Sequence, residues 1–269
     1  MRRPALHSAS ERGFALLIAL WTLVLIALVV TYMVSAGREQ TRLASNLRTE
    51  AELAAAADGA VQVAIFHVLD KSEAHWPADG APRRIAAGAA LIDIRITSEA
   101  GKVNLNTAPP ELLAALLIET GTPPGLARSI AVNITAWRSP VGQAADLSGA
   151  YRAAGRDYAP PNAPFETLEE LGDVLGVTPA ILQRVSPYFT IYHDGDPDAA
   201  IAAPPVLRAL EDLNGKLPTG IRAPPDESVV EVTAVAGQGR ARQYRRAMVR
   251  LNPGQGGQLY EILDWREST

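Results

Sequence analysis

Three aspartates alternate in the stretch HDGDPD: Asp194, Asp196 and Asp198. Alternating carboxylates are hard oxygen donors of the kind that calcium prefers. The glycine and distal glutamate of an EF-hand loop do not follow them, so the plainer reading is a solvated acidic loop. Four histidines, His7, His67, His75 and His193, show no paired metal spacing, and the chain has no cysteine, which removes thiol catalysis and thiolate metal sites. No Gly-x-Ser-x-Gly, P-loop or His-Glu-x-x-His pattern occurs. Two turns, Gly121-Thr122-Pro123-Pro124-Gly125 and Gly176-Val177-Thr178-Pro179, stand where a helix N-terminus could offer backbone N–H groups to a phosphate. Neither is Gly-x-Gly, and proline supplies no donor, so both read first as packing turns. The arginines 240, 242, 245, 246 and 250 read as a solvated strand face, or as a surface for an acidic partner.

None of these groups assembles a reaction centre, and the element that dominates the chain is apolar. Phe14 to Val34 (FALLIALWTLVLIALVVTYMV) contains no charge. At about 1.5 Å per residue a helix of that length spans roughly 30 Å, the thickness of a bilayer core, where backbone groups must be satisfied internally. Arg2, Arg3 and Arg12 precede it and favour a cytoplasmic N-terminus with an exported body. A secretory signal peptide would carry only about 7–15 apolar residues and end at a small-residue cleavage site. Here the helical pattern continues. Leu43, Leu47, Ala51, Ala54, Val61, Ile65 and Val68 recur at three- and four-residue steps among charged neighbours, and no proline occurs between Phe14 and Asp70. One nearly continuous helix of about 85 Å is expected, a membrane half running into an amphipathic half.

The segment ERGFALLIALWTLVLIALVV resembles a type IV pilin-like leader, short and basic, ending in Gly and followed by Phe and the apolar helix. The resemblance implies a prepilin peptidase that cuts between Gly13 and Phe14 and methylates the new amine of Phe14. An uncleaved anchor with an incidental Arg-Gly-Phe is the alternative. Most pilins and pseudopilins carry Glu at the fifth position of the mature helix, and here that position is Ile18. A carboxylate in hydrocarbon needs a positive partner. In those families the partner is taken to be the terminal amine of a neighbouring subunit. A subunit placed first, at the tip, has no earlier subunit to dock against, and the K-type minor pseudopilin of type II secretion is the family known for lacking this Glu.

The body adds to the resemblance. Leu91–Thr97 (LIDIRIT) alternates as a half-buried strand. GKVNLNTAPPELLAALLIETG then reads as a turn and a helix capped by Asn106 or Thr107, with Leu112, Leu113, Leu116 and Leu117 on its buried side. LARSIAVNITAWR is a further helix. FETLEELGDVLGVTPAILQRVSPYF reads as two short helices, the first capped by Thr167, and VLRALEDL as one more. Its approach echoes the first body helix: Ala108, Pro110 and Leu113 match Ala202, Pro204 and Leu207. Ser228–Ala236 and Arg240–Leu251 flank Gly237-Gln238-Gly239 as a hairpin, and Leu259–Trp265 is a last strand. One strand before the helices and three after them form one antiparallel sheet on the long helix. GKVNLNTAPPELLAAL, the FETLEELG stretch and YEILDWRE all resemble the K-type minor pseudopilin family, so the resemblance covers nearly the whole chain.

The expected fold is therefore α+β: a type IV pilin-like long N-terminal helix on an antiparallel sheet, with a large all-helical insertion that resembles SAM-like and helix–hairpin–helix modules. The expected parts are a leader (1–13), the membrane half of the helix (14–36), the periplasmic helix and first strand (37–105), the helical insertion (106–215) and the C-terminal strands (216–269). What the resemblance implies is a structural protein rather than an enzyme. It would sit in the inner membrane by a single pass, with its C-terminal part in the periplasm. There it would cap the pseudopilus tip, start assembly with the I- and J-type minor pseudopilins, and support protein export across the outer membrane. The inner-membrane secretion platform and the peptidase are further partners. The helix face lined by Leu43, Leu47, Ala54, Val61 and Ile65 is the expected partner interface. Family members are associated with calcium in the helical domain, yet Trp137 is followed here by Arg138-Ser139-Pro140 where acidic residues are usual, and no cofactor is assigned. The alternative function is a membrane-tethered DNA-binding protein of competence type. A net charge of −4 speaks against it, and the expected partners include no nucleic acid.

Overall fold

The structure, a computed structural model, describes residues 9–143, 146–193, 195–213, 228–252 and 257–268; in its first helix the described side chains are Phe14, 16–33 and 43–69. That helix, α1, runs without a break over Ala9–Leu69, 61 residues. Its first half exposes every described apolar side chain, and Leu16–Met33 is long and apolar enough to cross a membrane. The hydroxyls of Thr22 and Thr31 turn back onto the carbonyls of Ala19 and Ala27, so both threonine side chains of this stretch are satisfied within the helix. Leu43–Leu69 also passes the length-and-composition test for a membrane span, but a third of it is buried inside the molecule.

What buries it is a five-stranded antiparallel sheet of order β1-β2-β5-β6-β7. The strands are β1 (Arg83–Ala87), β2 (Ala90–Ser98), β5 (Ser228–Gln238), β6 (Ala241–Leu251) and β7 (Tyr260–Ser268). In β2, Ile92, Ile94 and Ile96 face α1, and across the β2–β5 ladder Val232, Ala234 and Ala236 share that side. Leu53, Ala57, Ala60, Val61, Ala64 and Ile65 of α1 close over them. The β5–β6 hairpin pairs Gln238 with Ala241, and Gly239 at its tip has φ +58°, a conformation a side chain resists. The expected four-stranded sheet thus gains a fifth strand, β1. Its sequence RRIAA is short, mostly exposed and at the edge, so it carries no clear alternation. At its far end α1 is pinned by a stack of His67 on Trp76, with ring centroids 4.1 Å apart, while His67 Nδ1 bonds the Ala74 carbonyl at 2.9 Å.

The segment between β2 and β5 folds around a second apolar cluster. Its elements are β3 (Val103–Asn104), α2 (Pro110–Glu119), α3 (Pro124–Arg138), α4 (Ser148–Ala153), α5 (Pro179–Val185), β4 (Phe189–Thr190) and α6 (Pro204–Asp212). A single 3-10 turn, Glu169–Asp173, stands where the first of two short helices was expected. Strands β3 and β4 pair in parallel and close the segment on itself. The GKVNLN stretch is the clasp. Asn104 donates from Nδ2 to the His193 carbonyl and accepts the Asn106 N–H, while Asn106 bridges both backbone groups of Phe165. Asn106 therefore ties two loops together and does not cap α2, whose N-cap Pro109 has no side-chain bond. Thr167 does not cap its helix either: the Glu170 carboxylate accepts from the backbone of Glu166 and Thr167. Thr178 does cap, accepting from Ile181 N–H at the start of α5.

Gly101 shows why the clasp needs a glycine. A Cβ there would lie 2.8 Å from the Ile201 carbonyl oxygen and 3.1 Å from Cα of Ala202, both backbone atoms. Gly101→Ala should therefore cost about 1–3 kcal/mol. Thermal unfolding should show a midpoint lower by about 2–4 °C for each kcal/mol lost; an unchanged midpoint would mean the two segments separate freely.

Candidate partner interface

The expected interface residues divide when placed on the fold. Leu43 and Leu47 are exposed, at 60% and 56%. Val61 and Ile65 are buried, at 0% and 2%, against this chain's own sheet, and Ala54 is half-buried at the edge of the same contact. Val61 and Ile65 are therefore not available to a partner. A 3.6-residue apolar period marks the side of a helix that is buried, but it does not say by what; here the sheet takes it.

The side of α1 turned away from the sheet is exposed and carries several small and apolar residues, Ala51, Ala55, Gly59, Val63 and Phe66, the last at 66% exposure, interspersed with Glu52 and Gln62. A Cβ on Gly59 would meet nothing within 4 Å, so no close contact inside this chain requires that glycine. Beside the helix, β7 is a sheet edge whose Ile262 and Trp265, on the face toward α1, are only partly covered. The seam between them is closed by Arg245, a buried guanidinium held by Asp58 of α1 at 2.5 Å and Glu267 of β7 at 3.0 Å. The result is a ledge of apolar residues beside the β7 edge, well along α1 from its apolar first half. Ile18 lies in that half, exposed, and Gly13 and Phe14 lie one turn inside the helix start.

The other chemistry-bearing groups are absorbed by the fold. Arg242 folds back onto the carbonyls of Gly239 and Ala241, Arg246 pairs with Glu231, and Arg250 pairs with Glu261. With Arg245 also paired, this arginine group is largely neutralised within the chain and does not form a free basic surface. The phosphate-like turns spend their N–H groups internally: Gly121 and Thr122 donate to Ile118 and Leu117, and Val177 donates to Val174. A Cβ on Gly176 would press on Ile130 at 3.0 Å, so the second turn packs directly on α3. Asp194 lies outside the described residues. Asp196 and Asp198 are exposed, and Asp198 accepts the N–H of Ala200. Among the described residues no group of three or more His, Asp or Glu converges to hold a metal. After Trp137 the donor set does not suit calcium: the guanidinium of Arg138, its pKa lowered by burial, donates to the carbonyls of Leu105 and Ala108 and supplies a positive charge there itself.

Comparison with known proteins bears on this arrangement. Residues 92–194, from β2 to just past β4, match the family of the type II secretion system protein K. That stretch, less than half of the chain, is similar to a K protein. The match holds the GKVNLN clasp, both glycine turns and the Trp137 region, and stops short of α1 and the C-terminal strands. No curated protein sequence matches the chain. Its fold is similar to that of a chain in the crystal structure of the GspK–GspI–GspJ complex of the type 2 secretion system from enterotoxigenic Escherichia coli. The two share 16% identity with a TM-score of 0.61, over 86% of this chain and 99% of that one. The likeness extends the shared architecture, helix plus antiparallel sheet, well beyond the K-like stretch itself.

Two charge substitutions on one helix separate its two sides. Ile65→Asp buries an unpaired carboxylate against the sheet and should cost about 3–5 kcal/mol. Phe66→Asp, one residue on but facing solvent, should leave the unfolding midpoint within the range of an ordinary surface change, about 0.5 kcal/mol. Denaturant titration of both variants checks the assignment of sides.

Proposed function

We propose that the chain is a minor pseudopilin of type II secretion, placed at the tip of the pseudopilus and anchored in the inner membrane by the first half of α1, with the remainder in the periplasm. The observation that carries this reading is the K-like domain on the same chain as an apolar helix whose fifth residue after Gly13 is Ile18. An apolar residue there cannot neutralise the amine of a subunit above it, which suits the first subunit of a fibre. The domain is inserted between β2 and β5 and adds bulk that a repeating subunit would have to accommodate at every step. The role is structural: it starts assembly with I- and J-type subunits and supports export across the outer membrane. A solved protein of similar fold is found in a complex with GspI and GspJ, which supports partners of that kind.

The partner face in this reading is the side of α1 turned away from the sheet, with Ala55, Gly59 and Phe66 beside the β7 edge, together with Leu43 and Leu47, which lie on the sheet-side stripe but are exposed. Small residues let a second helix approach closely, and the flanking apolar side chains gain from being covered. The soluble part from Arg38 onward should form a discrete complex with the soluble I- and J-type components in light scattering. Leu47→Asp and Phe66→Asp should each weaken it by roughly tenfold or more in calorimetry, about 1.4 kcal/mol per factor of ten. Self-polymerisation of the purified part, or no binding while it is folded, would overturn the tip assignment.

Processing gives a separate test. Mass spectrometry of the membrane-extracted protein from cells with an active prepilin peptidase should find a mature terminus at methylated Phe14. An intact Met1 terminus would mean that the Arg12-Gly13-Phe14 junction is incidental.

A further inference from the structure

The two apolar clusters of the molecule share no residue. One lies between α1 and the inner face of the sheet, the other within the helical unit from Val103 to Leu213. The unit meets the sheet on the opposite, outer face, where Val229 of β5 and Met248 of β6 are buried yet belong to neither cluster. Around these two side chains the contacts are polar. Glu99, fully buried just past the end of β2, accepts from Lys102 Nζ at 2.5 Å, and the same ammonium lies 3.6 Å from Glu231 of β5. Arg246 of β6 holds Glu231 at 2.8 Å. From the helical unit, Tyr192 donates to Asp264 of β7 at 3.4 Å, and Glu169 pairs at 3.1 Å with Arg266, which also holds Asp264 at 2.7 Å.

This joint differs in kind from either core. Apolar packing is non-directional and tolerates small shifts, whereas ion pairs and hydrogen bonds fix a geometry and are costly when one partner is lost. The pairing is also incomplete: Glu99 Oε2 and Arg246 Nε, of opposite charge and in one network, are both buried without a hydrogen-bond partner. Burial presses on the Arg246 charge, but the charge and hydrogen bond of Glu231, with Glu99 nearby, carry its pKa above the usual guanidinium value. The network is therefore under electrostatic demand from both signs.

We propose that Glu99, Lys102, Glu231 and Arg246, with the outlying Tyr192–Asp264–Arg266–Glu169 chain, form a latch that holds the helical unit in one orientation on the sheet, and that weakening it lets the unit swing while both cores stay folded. The latch acts at the two places where the chain and the network coincide. Lys102 immediately precedes β3, and Tyr192 lies two residues past the end of β4, so the short parallel ladder that closes the helical unit is also what the latch grips. Reorientation then requires no change inside either core, only exchange of partners at the outer face.

The chain has no native cysteine, so two can be introduced cleanly. Spin labels at Ser129→Cys on α3 and Ala87→Cys on β1, both exposed, report the distance between unit and sheet in the full-length chain in detergent. Double electron–electron resonance should give a single narrow distance for the otherwise unaltered protein. In Glu231→Gln and Arg246→Met that single peak should be lost to a broadened or two-peaked distribution, with circular dichroism unchanged. Should these half-buried variants fail to fold, the double variant Glu169→Gln/Arg266→Ala keeps the test open, because its side chains are 67% and 39% exposed. Loss of the single peak in any variant that remains folded supports the latch. A single, unshifted distance in every folded variant overturns it, and shows that Val229 and Met248 hold the joint unaided.

Discussion

The contact between the second half of α1 and the inner face of the sheet is what the rest of the molecule depends on. A backbone that runs through an apolar stretch such as Leu16–Met33 must satisfy its own hydrogen bonds if that stretch lies in lipid, and only a helix does so within one segment. The same helix then continues into the body without a proline to break it. The sheet has to be built against a rod. It does so with isoleucines on β2 and small residues on β5, while α1 contributes Ala57, Ala60 and Ala64 among its larger side chains, so that helix and sheet approach closely. Arg245, buried between Asp58 and Glu267, joins helix to sheet at the one flank where apolar cover runs out.

Everything else hangs from that layer. The helical unit leaves the sheet after β2 and returns at β5, two strands that are hydrogen-bonded neighbours. An excursion of that kind can vary internally as long as its ends meet, and the ends are held by the GKVNLN clasp rather than by the sheet. Gly101 against Ile201, Asn104 on the His193 carbonyl and the β3–β4 ladder all join the beginning of the excursion to its end. The protein K family match, residues 92–194, takes in the Asn104–His193 bond and the β3–β4 ladder but stops before Ile201 and α6.

Much of this was readable from residue patterns, and the exceptions share a cause. The long helix, the alternating β2 and the glycine hairpin are local signals, and each appeared within a few residues of its expected bounds. Strand β1 was missed because an exposed edge strand has no apolar alternation to show. Asn106 was read as a helix cap because capping is the local use of such a residue; its actual partner, Phe165, is distant in sequence. The arginines of β6 read as a solvated strand face, or a surface for an acidic partner, because the partners of Arg245, Arg246 and Arg250, namely Asp58, Glu231, Glu261 and Glu267, are scattered along the chain. Two residues of the candidate interface, Val61 and Ile65, were misplaced in the same way. Leu43, Leu47, Ala54, Val61 and Ile65 lie on one helical stripe, but periodicity marks the stripe without naming its cover, and only the three-dimensional fold shows that Val61 and Ile65 are already taken.

That misassignment has a physical consequence for any assembly built on α1. A helix that gives one side to its own sheet has only the opposite side for a second helix, so the two contacts cannot compete and both can persist in one assembled state. The residues on the free side fit that division. Ala51, Ala55 and Gly59 would contribute little to a core, since small side chains bury little apolar area. On an outer face they cost nothing and leave room for a neighbouring backbone, while Val63 and Phe66 supply the area worth covering. A neighbouring helix seated there would run alongside α1 toward its apolar first half, where the described side chains are exposed all round and impose no side of their own. Register between two such helices would then be set by the ledge of α1 and β7, and the apolar first half would follow.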